Sequence, residues 1–436
     1  MTRTLAFYLK VLFWAFFFMI AMRILLRTPL SKGAFVVEAV FITILLLFYI
    51  YRIFTALAGK SSFTKYEVYL STFLIFPFWS AFAAYYSWNQ PFIFGVAAQR
   101  GFYLFLSAFF LLYALNKKIV TPQILLKSFL LLGWCSLIGF YVATKVINPI
   151  QYIDTEMVEF SSLKGGYIFH FYITFITIGF LYYAIQFFKT GNYLYWIPSI
   201  LFLAYIVFVR QDRSIILTVF AGIGLYFLQN EMKKYFLKTV FTGLIVITGI
   251  LAVFVSSGPQ LLTGFFVKYE NIIKVVSGQS TTESSTNVRK KEALKVFPHI
   301  IKNPLLGNGD LSQQWRNGFE RIMGHLYPAD LGIIGEIFLF GLLGTLIINS
   351  QFILALKYSA ASKYYSFDTF YLTCKYALFT FFMDSFTAGQ TIFFAANSIL
   401  LITILYYYKN EAIKIAQKKI LESTGPISSN NLIEQN

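Results

Sequence analysis

Residues 289–310 read R-K-K-E-A-L-K-V-F-P-H-I-I-K-N-P-L-L-G-N-G-D, and residues 324–344 read G-H-L-Y-P-A-D-L-G-I-I-G-E-I-F-L-F-G-L-L-G. A short basic, polar run joins them. In a chain that is otherwise almost continuously apolar, this is the longest interval that must meet water, and it runs into a hydrophobic helix punctuated by glycine. It holds two of the three histidines, His299 and His325, together with Arg289, Arg316 and Arg321. A second charged piece lies upstream, Val209-Arg210-Gln211-Asp212-Arg213-Ser214, between two apolar segments. If the two pieces meet on one side of a membrane, they make a cationic pocket with a histidine in it.

Working outward, hydrophobic residues make up 58% of the chain and charged residues 13%, with a mean hydropathy of +0.65. A soluble protein carries about twice that charge, so the chain reads as an all-α polytopic membrane protein. The net charge of +17 does not point to nucleic acid, because the lysines sit mostly in short loops between spans, as membrane orientation requires. Cys135 and Cys374 fall in apolar segments with no C-x-x-C and no metal spacing. The basic start (Arg3, Lys10) precedes an apolar run without a small-residue cleavage site, the pattern of a retained first span.

Apolar runs of spanning length fall near 5–26, 33–53, 67–87, 92–114, 123–145, 166–188, 193–209, 214–229, 235–256, 331–356, 367–385 and 388–408, about twelve helices. The chain then divides into nine transmembrane helices over 1–256, a large extracytoplasmic loop over 257–330, three further helices over 331–408, and a cytoplasmic amphipathic helix with a polar tail over 409–436. Lysines in the short loops put both termini in the cytoplasm and the long loop outside. Arg23, Arg27, Lys32, Arg210, Arg213 and the long loop carry positive charge against that trend.

A guanidinium at the edge of hydrocarbon is costly unless it is paired or functional. Arg210 and Arg213, with Asp212 able to neutralise one of them, suit a pyrophosphate through bidentate donors; the alternative is snorkelling to headgroups. Arg289, Arg316, Arg321 and Lys164 are expected on the same side. His325 precedes a span and is placed for general-base work at the membrane surface, the alternative being a solvated loop residue. His299 reads as a packing residue and His170 as an interhelical hydrogen-bonding group. Asp330 could cap the following helix or orient a hydroxyl acceptor, and Glu336 should face the bundle interior. Gly332, Gly335, Gly341 and Gly344 permit close helix approach. The chain has no D-x-D pair, Walker loop, G-x-S-x-G or H-E-x-x-H, which argues against nucleotide-fuelled chemistry.

Three pieces together resemble the bacterial O-antigen ligase and O-antigen polymerase (Wzy-type) superfamily: V-R-Q-D-R-S-I-I-L-T-V-F-A-G from Val209, Arg289 with a helix leading to K-N-P-L-L-G-N-G, and the His325 run ending in L-F-G-L-L-G. The likeness covers about 195–350. It implies a GT-C-like scaffold that moves a glycan from undecaprenyl pyrophosphate to a hydroxyl on the periplasmic face of the inner membrane, with no metal and no cofactor. By position, Arg210 or Arg213 and Arg289 would grip the pyrophosphate and His325 would activate the acceptor. Lys164 stands where the family carries an arginine, and Asp330, Glu336 and Arg321 would position the acceptor. The ligase-like His-Asn pair is His325-Leu326 here. The resemblance therefore implies a polymerase of lipid-linked repeat units, with a ligase or O-oligosaccharyltransferase as the alternative; the count of about twelve spans gives a flippase or transporter as a third reading. The implied partners are the undecaprenyl-pyrophosphate-linked glycan, membrane lipid and a chain-length regulator.

Overall fold

The computed structural model describes residues 3–153, 157–161, 166–169, 173–210, 213–230, 284–324, 326–359, 362–365, 367–388 and 395–423. The span expected near 235–256 lies outside the described residues. The chain begins with α1 (Arg3–Ala21) and α2 (Ser31–Leu57). A third span follows, made of α3 (Lys65–Thr72), a 3-10 turn and α4 (Phe76–Trp88). Thr64 starts it with a capping box: its hydroxyl accepts from the Glu67 amide, and the Glu67 carboxylate accepts from the Thr64 amide, which satisfies two orphan donors. Helices α5 (Phe92–Ala98) and α6 (Leu106–Asn116), joined by the 3-10 segment Arg100–Phe105, form one broken segment bent by 49°. Helix α7 (Pro122–Val146) opens with proline behind a Thr121 cap.

Helices α8 (Thr174–Thr190), α9 (Trp196–Ala204) and α10 (Arg213–Asn230) come next. Beyond residue 283 the described elements are α11 (Ser284–Lys302), α12 (Gly318–Met323), a 3-10 turn Pro328–Leu331, α13 (Ile333–Ser359), a one-turn helix Ser362–Tyr365, α14 (Thr369–Ala388) and α15 (Ala395–Ser423). By length and composition Thr4–Ala21, Ser31–Leu57, Lys65–Trp88, Pro122–Val146 and Ile333–Ser359 can each cross a membrane, and the bent pair would make a sixth. Large apolar side chains stand exposed along their outer faces, among them Leu47 at 63% and Phe54 at 66% on α2. Water does not tolerate such continuous faces; lipid does. This is an α-helical membrane protein.

Side-chain contacts gather one end of the bundle. Arg52 pairs with Glu67, Tyr66 stacks on Tyr406, Lys189 bonds Thr369 at the start of α14, and Lys375 bonds Gln229 near the end of α10. The opposite end holds Arg23, whose Nε lies 3.3 Å from the buried Glu38, and Arg100, at 3.8 Å from the same carboxylate. The described residues 284–324 and 326–330 pack at that second end, where Asn303 and Asn308 bond Ser87 and Trp88.

Four expectations need correction. The span read at 166–188 begins as strand: Val158–Ser161 pairs antiparallel with Gly166–Phe169, and helix starts only at Thr174. The aromatic and β-branched residues of G-Y-I-F suit a strand, and hydropathy alone does not separate strand from helix. The span read at 367–385 does not stop there, because α14 runs on to Ala388. The amphipathic tail helix is not separate either: α15 continues without a break from Ala395 to Ser423. Finally, the run over 331–356 is not one straight helix, as the site geometry makes plain.

Candidate functional site

Gly341 has φ 66° and ψ −177°, outside helical geometry, in the middle of α13. The bend is severe. Asn349 Nδ2 donates to Glu336 Oε2 at 2.6 Å, whereas thirteen residues of straight helix would hold those positions about 20 Å apart. The chain must therefore double back at Gly341, and Glu336 is buried at the inside of the corner (1% exposed).

Breaking a helix orphans its backbone groups, which a membrane interior cannot tolerate. The K-N-P-L-L-G-N-G loop supplies the missing partners. The amides of Asn308 and Gly309 donate to the carbonyls of Phe338 and Leu339, and the amides of Leu342 and Leu343 donate to the carbonyls of Pro304 and Leu305. A Cβ on Gly341 would come within 2.2 Å of the Leu305 carbonyl oxygen, and one on Gly307 within 2.4 Å of the Gly341 nitrogen. Two glycine backbones cross there with no room for a side chain.

The same loop is a re-entrant dip along α4. Asn303 donates to Ser87 at 3.1 Å, Trp79 donates to the Leu306 carbonyl at 2.9 Å, and Trp88 donates to the Asn308 carbonyl at 2.8 Å. Ser87 and Trp79 lie about 12 Å apart along a helix, so the loop descends that far and returns. Asn308, 1% exposed, holds the dip from within, donating to the carbonyls of His299 and Phe338 and accepting from Asn303.

Asp310 closes it. Its amide donates to Ser80, its carbonyl accepts from Gln90, and its Oδ2 accepts from Gln99 Nε2 at 2.9 Å, at the α5–α6 break. These are neutral partners. Burial therefore dominates and pushes the carboxyl up to about 7, only partly offset by the Leu311 amide. One edge of the residue reaches the surface, but the carboxyl itself lies deep among protein atoms. His299 packs its ring on Trp88, 4.9 Å between centroids, and against Phe338. Burial first, then Lys302, lowers its pKa, so it is a neutral packing group, as its sequence context implied.

The remaining expected site residues divide clearly. His325, Lys164, Asp212 and His170 lie outside the described residues, as do the side chains of Arg210 and Arg213. The backbone around the arginine pair is described: a π-helical stretch Tyr205–Arg210 precedes the start of α10 at Arg213. Such widened turns are rare and concentrate at functional sites. Arg289, Arg316, Arg321 and Asp330 are exposed. Asp330 sits inside the 3-10 turn Pro328–Leu331, so it is not the cap of α13.

Packing brings the two charged pieces toward each other. Lys295 of α11 donates to the carbonyl of Met323 at 2.8 Å, setting the Arg289–Lys295 turns beside the segment that leads to position 325. Helix α11 packs on the turn Pro328–Leu331, that turn packs on α14, and α14 runs antiparallel along α10. Sequence reasoning missed the acid where the last two meet. Asp384 of α14, 2% exposed, accepts from Ser214 at 2.5 Å, one residue after Arg213. Its signal was available: an acid at the end of an apolar span is costly without a partner. Asp310 and Asn308 were missed too, though both stand in the quoted motif. Among the described residues no three His, Cys, Asp or Glu side chains gather as a metal site requires.

The fold and the charged end define a polytopic α-helical membrane protein with a re-entrant loop plugging a broken helix. No protein-family model and no curated protein matches the chain.

Proposed function

We propose that this chain is a membrane glycosyltransferase that polymerises undecaprenyl-pyrophosphate-linked repeat units, built on a GT-C-like scaffold of about twelve spans in a bacterial inner membrane, with both termini cytoplasmic. The observation that carries the reading is the chain of packing from α11 through Pro328–Leu331 and α14 to the start of α10. Through α14 the helix that carries Arg289 and the start of α10 share a packed neighbour, whose buried Asp384 accepts from Ser214, and this supports a common site for the two charged sequence pieces. Sugar transfer from a pyrophosphate lipid forms a bond from the acceptor oxygen to the anomeric carbon. It breaks the bond from that carbon to the phosphate oxygen. The acceptor proton goes to a base, here His325, and the leaving pyrophosphate gains charge that Arg210, Arg213 and Arg289 would stabilise at a low-dielectric edge. A direct displacement inverts the anomeric centre. The same chemistry serves a ligase, which differs only in the acceptor.

Transport is the weaker reading. Broken helices are a transporter hallmark when their freed backbone groups line a substrate site. Here the Phe338, Leu339, Leu342 and Leu343 backbone groups are bonded to the 304–309 loop. Purified protein reconstituted with a lipid-linked repeat unit tests the proposal. Longer lipid-linked chains should form, and Arg213→Ala and His325→Ala should each lower product by about 10²–10⁴-fold, the range of a lost general base or comparable group. His299→Ala should be mild. Translocation without new glycosidic bonds, or normal product from the His325 variant, would overturn the assignment.

A further inference from the structure

Helix α11 has three faces. At about 100° of rotation per residue, Glu292, Val296 and His299 fall together, and the first two are buried at 2% and 0%. Leu294, Phe297 and Ile301 fall on a second face, exposed at 63%, 49% and 74%. Lys291, Lys295 and Lys302 make the third. An apolar face this open has to be covered, and its surroundings say by what.

The second face continues into Leu305 and Leu306, also exposed. Leu306 is held beside Trp79 through the Trp79 Nε1 bond to its carbonyl. Trp79 stands on the side of α4 that exposes Phe78 and Phe82, and α4 belongs to the apolar span Lys65–Trp88. The exposed stripe of α11 is thus continuous with a lipid-facing surface. The helix is also fixed in depth: His299 packs against Trp88 and Asn303, just past its end, bonds Ser87, both at the last turn of α4. That is the level at which a spanning helix leaves hydrocarbon.

We propose that α11 is an interfacial helix, embedded in the leaflet on the loop side through Leu294, Phe297 and Ile301, with Lys291 and Lys302 against anionic phospholipid headgroups. Apolar area in the acyl boundary with lysines at headgroup level is how amphipathic helices bind membranes, and the lysine stems reach from one to the other. The partner is a lipid surface, and the inference is independent of the enzymatic reading. Its consequence is geometric: Arg289, one turn before Glu292, is then held at headgroup level.

The full chain in nanodiscs tests this, in a background with Cys135→Ser and Cys374→Ala. Single cysteines replace Phe297, Ile301 and Lys302 and carry an environment-sensitive fluorophore. At 297 and 301 the emission should shift to the blue, with quenching by lipid-attached nitroxide and protection from aqueous iodide. At 302 iodide should quench. Replacing phosphatidylcholine with phosphatidylglycerol should strengthen nitroxide quenching at 297, and Lys291→Ala with Lys302→Ala should abolish that gain. Iodide quenching at 297 and 301 equal to that at 302 would overturn the proposal. So would protection from both quenchers, which would mean a protein covers the face. An unchanged response to phosphatidylglycerol would overturn the headgroup contact.

Discussion

Asp310→Asn should make the protein more stable at pH 8 and leave it unchanged near pH 4. Burial with neutral partners lifts the Asp310 carboxyl from an ordinary 3.8 to about 7. A carboxyl whose folded pKa is raised keeps its proton where the unfolded chain has lost it. The unfolded state therefore binds fewer protons across that window, and stability falls as pH rises from about 4 to about 7. A displacement of about three pH units, at about 1.4 kcal/mol each, is worth about 4 kcal/mol at its upper bound. Asparagine cannot ionise, and its side-chain carbonyl still accepts from Gln99 Nε2. Thermal unfolding in nanodiscs from pH 4 to 8 is the assay. Wild type should lose stability progressively up to about pH 7 and then level off, the Asn variant should be flat over that contribution, and the two curves should meet at the acid end. Parallel curves would refute the reasoning, because the carboxyl would then titrate normally. An Asn variant weaker than wild type at pH 8 would refute it more directly, since that outcome requires a charged Asp310 held by a cation.

Two further outcomes follow from the same geometry. Gly341→Ala places a side chain in a glycine-only conformation, about 1–3 kcal/mol, and drives Cβ to 2.2 Å from the Leu305 carbonyl, an overpacking cost of about 1–3 kcal/mol. The monodisperse fraction on size-exclusion chromatography should collapse, whereas Gly33→Ala in α2, with nothing within 4 Å, should match wild type. Equal yields would show that the corner is not built as described. Asp384→Asn should retain an acceptor for Ser214 but lose its charge, so glycan product should drop while folded yield holds. Unchanged product at equal expression would reduce Asp384 to a hydrogen-bonding residue.

Much of the bundle was legible because length and apolarity are local properties. Helices α1, α2 and α7 fall where apolar runs of spanning length predict them, and T-K-Y-E over 64–67 carries the capping box that starts α3. The His299 packing role was legible too, since F-P-H-I-I sits in an amphipathic pattern. Arg23, read as charge against the orientation trend, lies at the second end of the bundle, where it pairs with Glu38.

The re-entrant plug was not legible, and the reason is physical. Hydropathy over 331–356 is the same whether the helix is straight or doubled back, because Gly341 changes direction without changing polarity. What decides is whether the backbone groups freed by a break can find partners, and those partners stand about 35 residues earlier, at Pro304–Gly309. Asp310 is harder still: Ser80, Gln90 and Gln99 precede it by 211 to 230 positions, and each alone is an unremarked polar residue in an apolar run. In the resemblance, K-N-P-L-L-G-N-G is the loop signature that Arg289 and a helix lead to. Its proline, glycines and asparagines answer a different demand: they let a bare backbone enter the bundle, complete a broken helix and leave again with its amides and carbonyls bonded. A motif that draws attention as chemistry can thus be required first by hydrogen bonding. In this chain the motif bonds α4 to both halves of the broken α13, and α11, which carries Arg289, leads straight into it.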